Sequence, residues 1–229
     1  MGYVVSVKRS ALLAALADDV LGVWEPGEFC RVAVDGVDGA GKTSLADELA
    51  AELKRRGRST VRVSVDGFHN DRVVRYRKGR DSPDGFFRDS YDYERFVSLV
   101  VRPFSSAGSG IYTPAIFDVD EERQLPPMSV QAPPGSILIA DGIFLHRDEL
   151  AAMWSYSIWL DVPFEVSVPR GAHRSQGSVS PDPADPANRR YVEGQRLYIQ
   201  QCSPRTRATV VVDNSDLDDP FFLSRAGSP

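Results

Sequence analysis

Apolar side chains recur at three- and four-residue spacing from Leu12 to Val23, which predicts an amphipathic helix over about residues 9–23 that ends before Pro26 and Gly27. The next apolar run has a different character. "FCRVAVDG", residues 29–36, is short and rich in β-branched residues, the composition of a strand buried in a parallel sheet. "KTSLADELAAELKRRG", residues 42–57, returns to helical spacing, with leucines and alanines on one face and Gly57 as its stop. The alternation then repeats. Strands are predicted in "STVRVSVDGF" (59–68), "PPGSILIADGIFL" (133–145), "SYSIWLDVP" (155–163) and "RATVVVDNSD" (207–216), and helices in "SYDYERFVSLVVRPF" (90–104) and "RRYVEGQRLYIQQ" (189–201). Strands separated by helices predict an α/β fold, a mostly parallel sheet covered by helices on both faces. The Pro-, Ser- and Asp-rich residues 176–190 read as a surface loop, and "SRAGSP" (224–229) as a frayed end.

The chain has 229 residues, enough for one sizeable core, so one domain over residues 1–229 is expected. With 42% hydrophobic and 26% charged residues it is neither disordered nor fibrous in composition. A net charge of −5 provides no broad footprint for a nucleic-acid backbone, so no nucleic-acid partner is expected. "ALLAALA" (11–17) is shorter than a membrane span and no cleavage pattern follows it. A cytoplasmic protein without a membrane partner is the expectation. Cys30 and Cys202 form neither a disulfide framework nor a metal-ligand spacing, and both read as small buried hydrophobes.

Between the first predicted strand and the second helix lies "GVDGAGKTS", residues 36–44, which fits the G-x-x-x-x-G-K-[ST] pattern. Glycines let the main chain curl so that successive N–H groups point at phosphate oxygens, and the following helix aims its positive end at the same place. Gly36, Asp38, Gly39, Ala40, Gly41, Lys42, Thr43 and Ser44 are therefore the expected nucleotide-binding residues, with Lys42 on the β- and γ-phosphates and the Thr43 hydroxyl on Mg²⁺. The bland alternative is a chance strand-to-helix turn, which the context disfavours. A dinucleotide-binding turn would need G-x-G-x-x-G, which this order is not. A switch GTPase would need an Asn-Lys-x-Asp element, and no Asn-Lys pair occurs in the chain.

Two more predicted strands end in an acid followed by glycine: Asp66 in "VSVDGFHND" and Asp141 in "ILIADGIFL". Ligands of open parallel sheets bind at the carboxyl ends of the strands, so both acids are expected near the γ-phosphate. Phosphoryl transfer needs one acid to orient the acceptor hydroxyl and one to hold Mg²⁺. Asp66 and Asp141 could divide those roles. Asp-Gly pairs also form ordinary turns.

"GVDGAGKTS", "VDGFHND", "DGIFL" and a late lid-like loop, in this order, resemble the uridine kinase, phosphoribulokinase and type I pantothenate kinase group of P-loop kinases, from about Arg31 to Asn214. The resemblance implies a P-loop NTPase fold with a five-stranded, mostly parallel sheet, a mobile lid over about residues 170–190, and ATP with Mg²⁺ as cofactors. It makes Asp66 the acceptor-activating aspartate. Asp84 in "SPDGF" is placed near a ribose hydroxyl, Tyr112 in "IYTPAIFDV" beside the acceptor, and Gln195 on the substrate side. The lid sequence "PRGAHRSQGS" offers Arg170 and Arg174 as catalytic cations, with Arg189 and Arg190 behind them, and Asp213 and Asn214 in "VVDNSD" match the adenine-side loop. The histidine that uridine and pantothenate kinases carry shortly after the tyrosine is absent here, where Pro114, Phe117 and Asp118 stand instead.

Two regions are read without a motif. "RYRKGRDS" (75–82) is a basic run that reads as a solvated loop, or alternatively as a recogniser of an anionic acceptor. His69, His146 and His173 are too scattered for a metal site, but His69 lies three residues after Asp66 and is a candidate acceptor-side residue. The leading reading is an ATP-dependent kinase for a hydroxyl of a small metabolite, a nucleoside first, with pantothenate, a sugar or a phosphosugar as alternatives. A nucleotide-binding regulatory module without transfer activity is the competing class. The partner expected is a small-molecule acceptor, and a homo-oligomer is left open.

Overall fold

The computed structural model describes residues 7–126, 128–174 and 180–225, with the side chain of Arg174 outside the description. Six strands make the main sheet: β1 (Cys30–Gly36), β2 (Thr60–Ser64), β3 (Ile137–Gly142), β4 (Tyr156–Asp161), β5 (Val210–Asp213) and β6 (Phe221–Arg225). Their order is β6-β5-β4-β1-β3-β2. The first five run parallel, and β6 pairs antiparallel with β5 at the edge. The α/β class is as expected, but five strands become six. The correction lies in a stretch whose burial alternates poorly, with Phe221 and Leu223 exposed. Ser224 and Arg225, expected to fray, belong to this strand.

Helix α1 (Val7–Val23) buries Leu12, Leu13, Leu16, Ala17 and Val20. It packs on α2 (Lys42–Arg55), whose Leu45, Leu49 and Leu53 are buried in turn over β1, β2 and β3. Both cysteines are buried and unpaired. Three further helices bear on the site: α3 (Pro83–Asp89), α4 (Phe164–Arg174) and α5 (Arg189–Cys202).

The helix expected over residues 90–104 is irregular: an α-turn over Tyr93–Phe96 widens to a π-turn over Val97–Val101 and tightens to a 3₁₀ turn over Arg102–Phe104. Pro103 has no N–H to offer the carbonyl four residues back, that of Leu99. Thr113 N–H bonds that carbonyl instead at 3.0 Å, which anchors the following segment. That segment forms two short antiparallel ladders, Ile111–Tyr112 with Val130–Gln131 and Phe117–Asp118 with Arg123–Gln124.

Candidate active site

The parallel register sets the site. Val34 of β1 pairs with Asp141 of β3, and Asp141 pairs with Ser64 of β2, so the carboxyl ends of three adjacent strands lie level. Their continuations, the Gly36–Thr43 loop, the turn through Asp66 and the Asp141–Ile143 corner, line one cleft with Asp38, Gly39, Gly41, Lys42, Thr43, Asp66, Asp141, Gly142 and Ile143 on its walls.

The loop can curl this tightly only with glycine at two points. Gly41 has φ +93°, and a Cβ there would meet Asn214 Nδ2 at 2.7 Å. Gly39 has φ +77°, and a Cβ would meet the Ser167 carbonyl oxygen of α4 at 2.0 Å. The bend places the start of α2 against the cleft, where its first N–H groups and positive end favour anions. Lys42 Nζ donates to the Val37 carbonyl at 2.9 Å, which folds the ammonium over the loop.

Thr43 Oγ1 donates to Asp141 Oδ2 at 2.7 Å. Asp141 is buried, and Arg62 of β2 holds its other oxygen, Nη2 to Oδ1 at 2.9 Å. A hydroxyl beside a buried carboxylate is a hard-oxygen pair suited to Mg²⁺, which takes one or two protein oxygens and the rest from phosphate and water. Among the described residues no group of three or more His, Cys, Asp or Glu could hold a metal alone.

Asp66 is exposed at the cleft, and its carboxylate is oriented by the buried Tyr91, whose hydroxyl donates to Oδ1 at 2.8 Å. Burial raises the Tyr91 hydroxyl well above its ordinary range, with the Asp66 and Asp38 charges adding to it, so it stays a donor. His69 Nδ1 donates to the Asp66 carbonyl at 2.7 Å and its ring packs against Tyr91 at a tilt of 51°, with centroids 4.5 Å apart. Burial holds the His69 imidazole below its usual value, hence neutral near pH 7. A second cleft adjoins, lined by His69, Asn70, Asp71, Asp92, Arg95, Ile116, Phe117 and Gln124.

The remaining expected residues fall elsewhere. Gln195 is buried on α5, where Oε1 accepts from Asp38 N at 2.6 Å and Nε2 reaches Asp38 Oδ2 at 3.3 Å, so it holds the phosphate loop. Asn214 is fully buried, with Nδ2 donating to the Ala40 carbonyl at 2.6 Å and Oδ1 accepting from Arg9 at 3.2 Å. Asp213 accepts from Ser215 N at 2.8 Å. Arg170 turns its guanidinium to the carbonyls of Asn214, at 2.8 Å, and Ser215. The Arg174 side chain and residues 175–179 of the expected lid lie outside the described residues. Asp84 pairs with Lys78 at 2.6 Å and Arg88 at 2.7 Å, and Tyr112 packs edge-on against Phe104; neither lines the two clefts.

The basic run is not uniformly solvated. Arg75 is buried and paired with Glu122, while Arg77 and Lys78 pair with Asp89. Arg190 is also buried and donates to the carbonyls of Arg75, at 3.2 Å, and Arg80, at 2.7 Å, which fixes this loop to α5.

Sequence reasoning did not single out Arg62, Tyr91 or the tie beneath the loop. There Asp35, fully buried at the end of β1, accepts from Gly36 N at 2.7 Å, His146 Nδ1 at 2.8 Å and the Tyr198 hydroxyl. A charge inside the apolar runs of β1 and β2 was the available signal.

No protein-family model matches the chain. No curated protein matches it by sequence either. Solved structures do resemble it. A possible uridine kinase from Bacillus stearothermophilus superposes with a TM-score of 0.68 at 22% identity, over 88% of this chain and 97% of that one. A possible fructose transport system kinase from a Silicibacter species gives 0.62 at 28% identity, over 79% and 93%. Phosphoribulokinase from Rhodobacter spheroides gives 0.59 at 12% identity, over 90% and 83%. The chain has the fold of the P-loop small-molecule kinases, the group its sequence motifs resemble.

Proposed function

We propose that the protein is an ATP-dependent kinase that phosphorylates a hydroxyl of a small metabolite. The observation that carries this reading is that Asp66 shares one cleft with Lys42, Thr43 and Asp141, so an acid able to orient a hydroxyl stands beside a phosphate cradle. Thr43 and Asp141 would hold Mg²⁺, which would neutralise charge on the phosphates. Lys42 and the main-chain N–H groups at the start of α2 would bind the phosphate oxygens. Asp66, fixed by Tyr91, would accept a hydrogen bond from the acceptor hydroxyl and take its proton as the oxygen bonds to phosphorus and the ADP oxygen departs.

The acceptor proposed first is a nucleoside such as uridine, with a sugar, a phosphosugar or pantothenate as alternatives. Names borne by the structural neighbours, a possible uridine kinase and a possible sugar kinase among them, support testing these first. The experiment measures ADP released by the full chain with Mg²⁺ and ATP against uridine, cytidine, pantothenate, ribulose 5-phosphate and free sugars. Acceptor-dependent ADP with one compound supports the kinase and names its substrate. ADP binding without turnover on any acceptor would favour a nucleotide-binding module instead.

A further inference from the structure

Asp38 stands in the phosphate loop, where a negative charge is least suited to phosphate binding. Gln195 of α5 holds both its main chain and its side chain. Its main-chain N–H, which a phosphate-binding loop would offer to the ligand, donates to Gln195 Oε1 at 2.6 Å, and its Oδ2 accepts from Gln195 Nε2 at 3.3 Å. The residue is nonetheless exposed between buried neighbours, and it lines the same cleft as Asp66.

The side on which it stands can be read from its neighbours. The other end of the loop, Ala40 and Gly41, is covered by Asn214 and Leu217. Asp38 instead lies within electrostatic reach of Tyr91, which donates to Asp66, and of Tyr191 on α5. It therefore belongs to the Asp66 flank.

Two carboxylates on one flank of a cleft have a definite ligand preference. They accept from O–H donors and repel phosphate or carboxylate groups. We infer that Asp38 is an acceptor-specificity residue, whose carboxylate accepts a hydrogen bond from a second hydroxyl of a neutral, polyhydroxylated acceptor while Asp66 takes the reacting one. Gln195 is the positioning residue that holds Asp38 in place. This inference rests on the kinase reading above. It adds that any phosphate or carboxylate of the acceptor must lie away from the phosphate loop.

The test compares the wild type with Asp38→Asn and Asp38→Ala, using Mg²⁺ and ATP with uridine and D-ribose as neutral acceptors and ribulose 5-phosphate and D-glycerate as anionic ones. ADP affinity is measured separately by calorimetry. A hydrogen bond to a charged acceptor is worth roughly ten- to a hundredfold in binding, so both variants should raise the KM for the neutral acceptor by about that factor. ADP affinity should hold within about threefold, since the Asp38 main-chain N–H is already committed to Gln195. Gln195→Met, which removes both bonds to Asp38, should raise the acceptor KM in the same direction.

Three results would overturn the inference. One is an unaltered acceptor KM in both Asp38 variants, and another is a loss of ADP affinity by the same factor. The third is a wild type that prefers the anionic acceptors. Each of these leaves the kinase reading standing, whereas a wild type that binds ADP yet turns over no acceptor removes both.

Discussion

On the Ala40–Gly41 flank of the phosphate loop the Asn214 amide is fully buried and bonded on both sides, whereas on the Asp38 flank two carboxylates, Asp38 and Asp66, stand exposed in the cleft. The first flank is a seat. Asn214 joins the loop to Arg9 of α1, and Arg170 of α4 holds the carbonyls of Asn214 and Ser215, so the residue that seats the loop is itself fixed by two helices. The second flank is held by Tyr91 on Asp66 and Gln195 on Asp38, and both acids line the cleft. A seat that hardly varies suits the part of a substrate that never changes, and exposed acids suit the part that reacts.

The largest effect should come from the reacting side. Asp66→Asn keeps the shape and the Tyr91 contact but removes the proton acceptor, so kcat should fall by roughly a hundredfold or more while ADP affinity stays nearly constant. Steady-state kinetics with the acceptor found in the screen, together with ADP calorimetry, reads both. Unchanged turnover would break the contrast between the flanks at its centre. Asn214→Ala should act in the opposite sense. It leaves the Ala40 carbonyl and Arg9 short of a partner, at a cost of about 1–3 kcal/mol, and lowers Tm by about 5 °C. ADP binding should weaken with it and the acceptor KM should not move. A variant as stable as the wild type would show that the seat is not fixed by this amide.

Tyr91→Phe sharpens the same contrast with a smaller change. Loss of one hydrogen bond to a carboxylate should lower kcat by about tenfold, because Asp66 loses its fixed orientation rather than its chemistry. Thermal unfolding should shift little, since the ring still packs against His69 and Tyr93. A kcat equal to that of the wild type would mean that Asp66 needs no such support.

What the sequence made legible was local. The phosphate loop is written in consecutive residues, and Asp66 and Asp141 follow from the rule that strand ends of a parallel sheet face the ligand. Partners chosen across the chain were not legible. Gln195 meets Asp38 across 157 positions and Tyr198 meets Asp35 across 163, and nothing near either residue specifies its partner. Asp84, which the family resemblance places near a ribose hydroxyl, pairs with Lys78 and Arg88, contacts its own motif does not announce. β6 escaped for another reason. An edge strand needs no continuous apolar run, and Phe221 and Leu223 point outward, so the period that marks the buried strands is missing.

The smallest effect concerns pH, and it separates the flanks by a property other than turnover. His69 sits behind Asp66 with its imidazole held below the ordinary value of 6.5, chiefly by burial. The Asp66 carbonyl and the charges of Asp66 and Glu122 push it upward, and Arg75 pushes it down. Because the folded chain binds this proton less readily than the unfolded chain, the stability it contributes is present above pH 6.5 and is lost as pH falls through the lower folded value. The wild type should therefore lose Tm on the acid side of neutrality relative to His69→Gln, whose amide does not titrate. Unfolding curves for both proteins over about pH 5 to 8 measure the difference directly. Diverging curves place a neutral, half-buried imidazole beneath Asp66. Parallel curves would mean that His69 is as hydrated in solution as in the unfolded chain, and the Asp66 flank would then be looser than its bonds to Tyr91 and His69 imply.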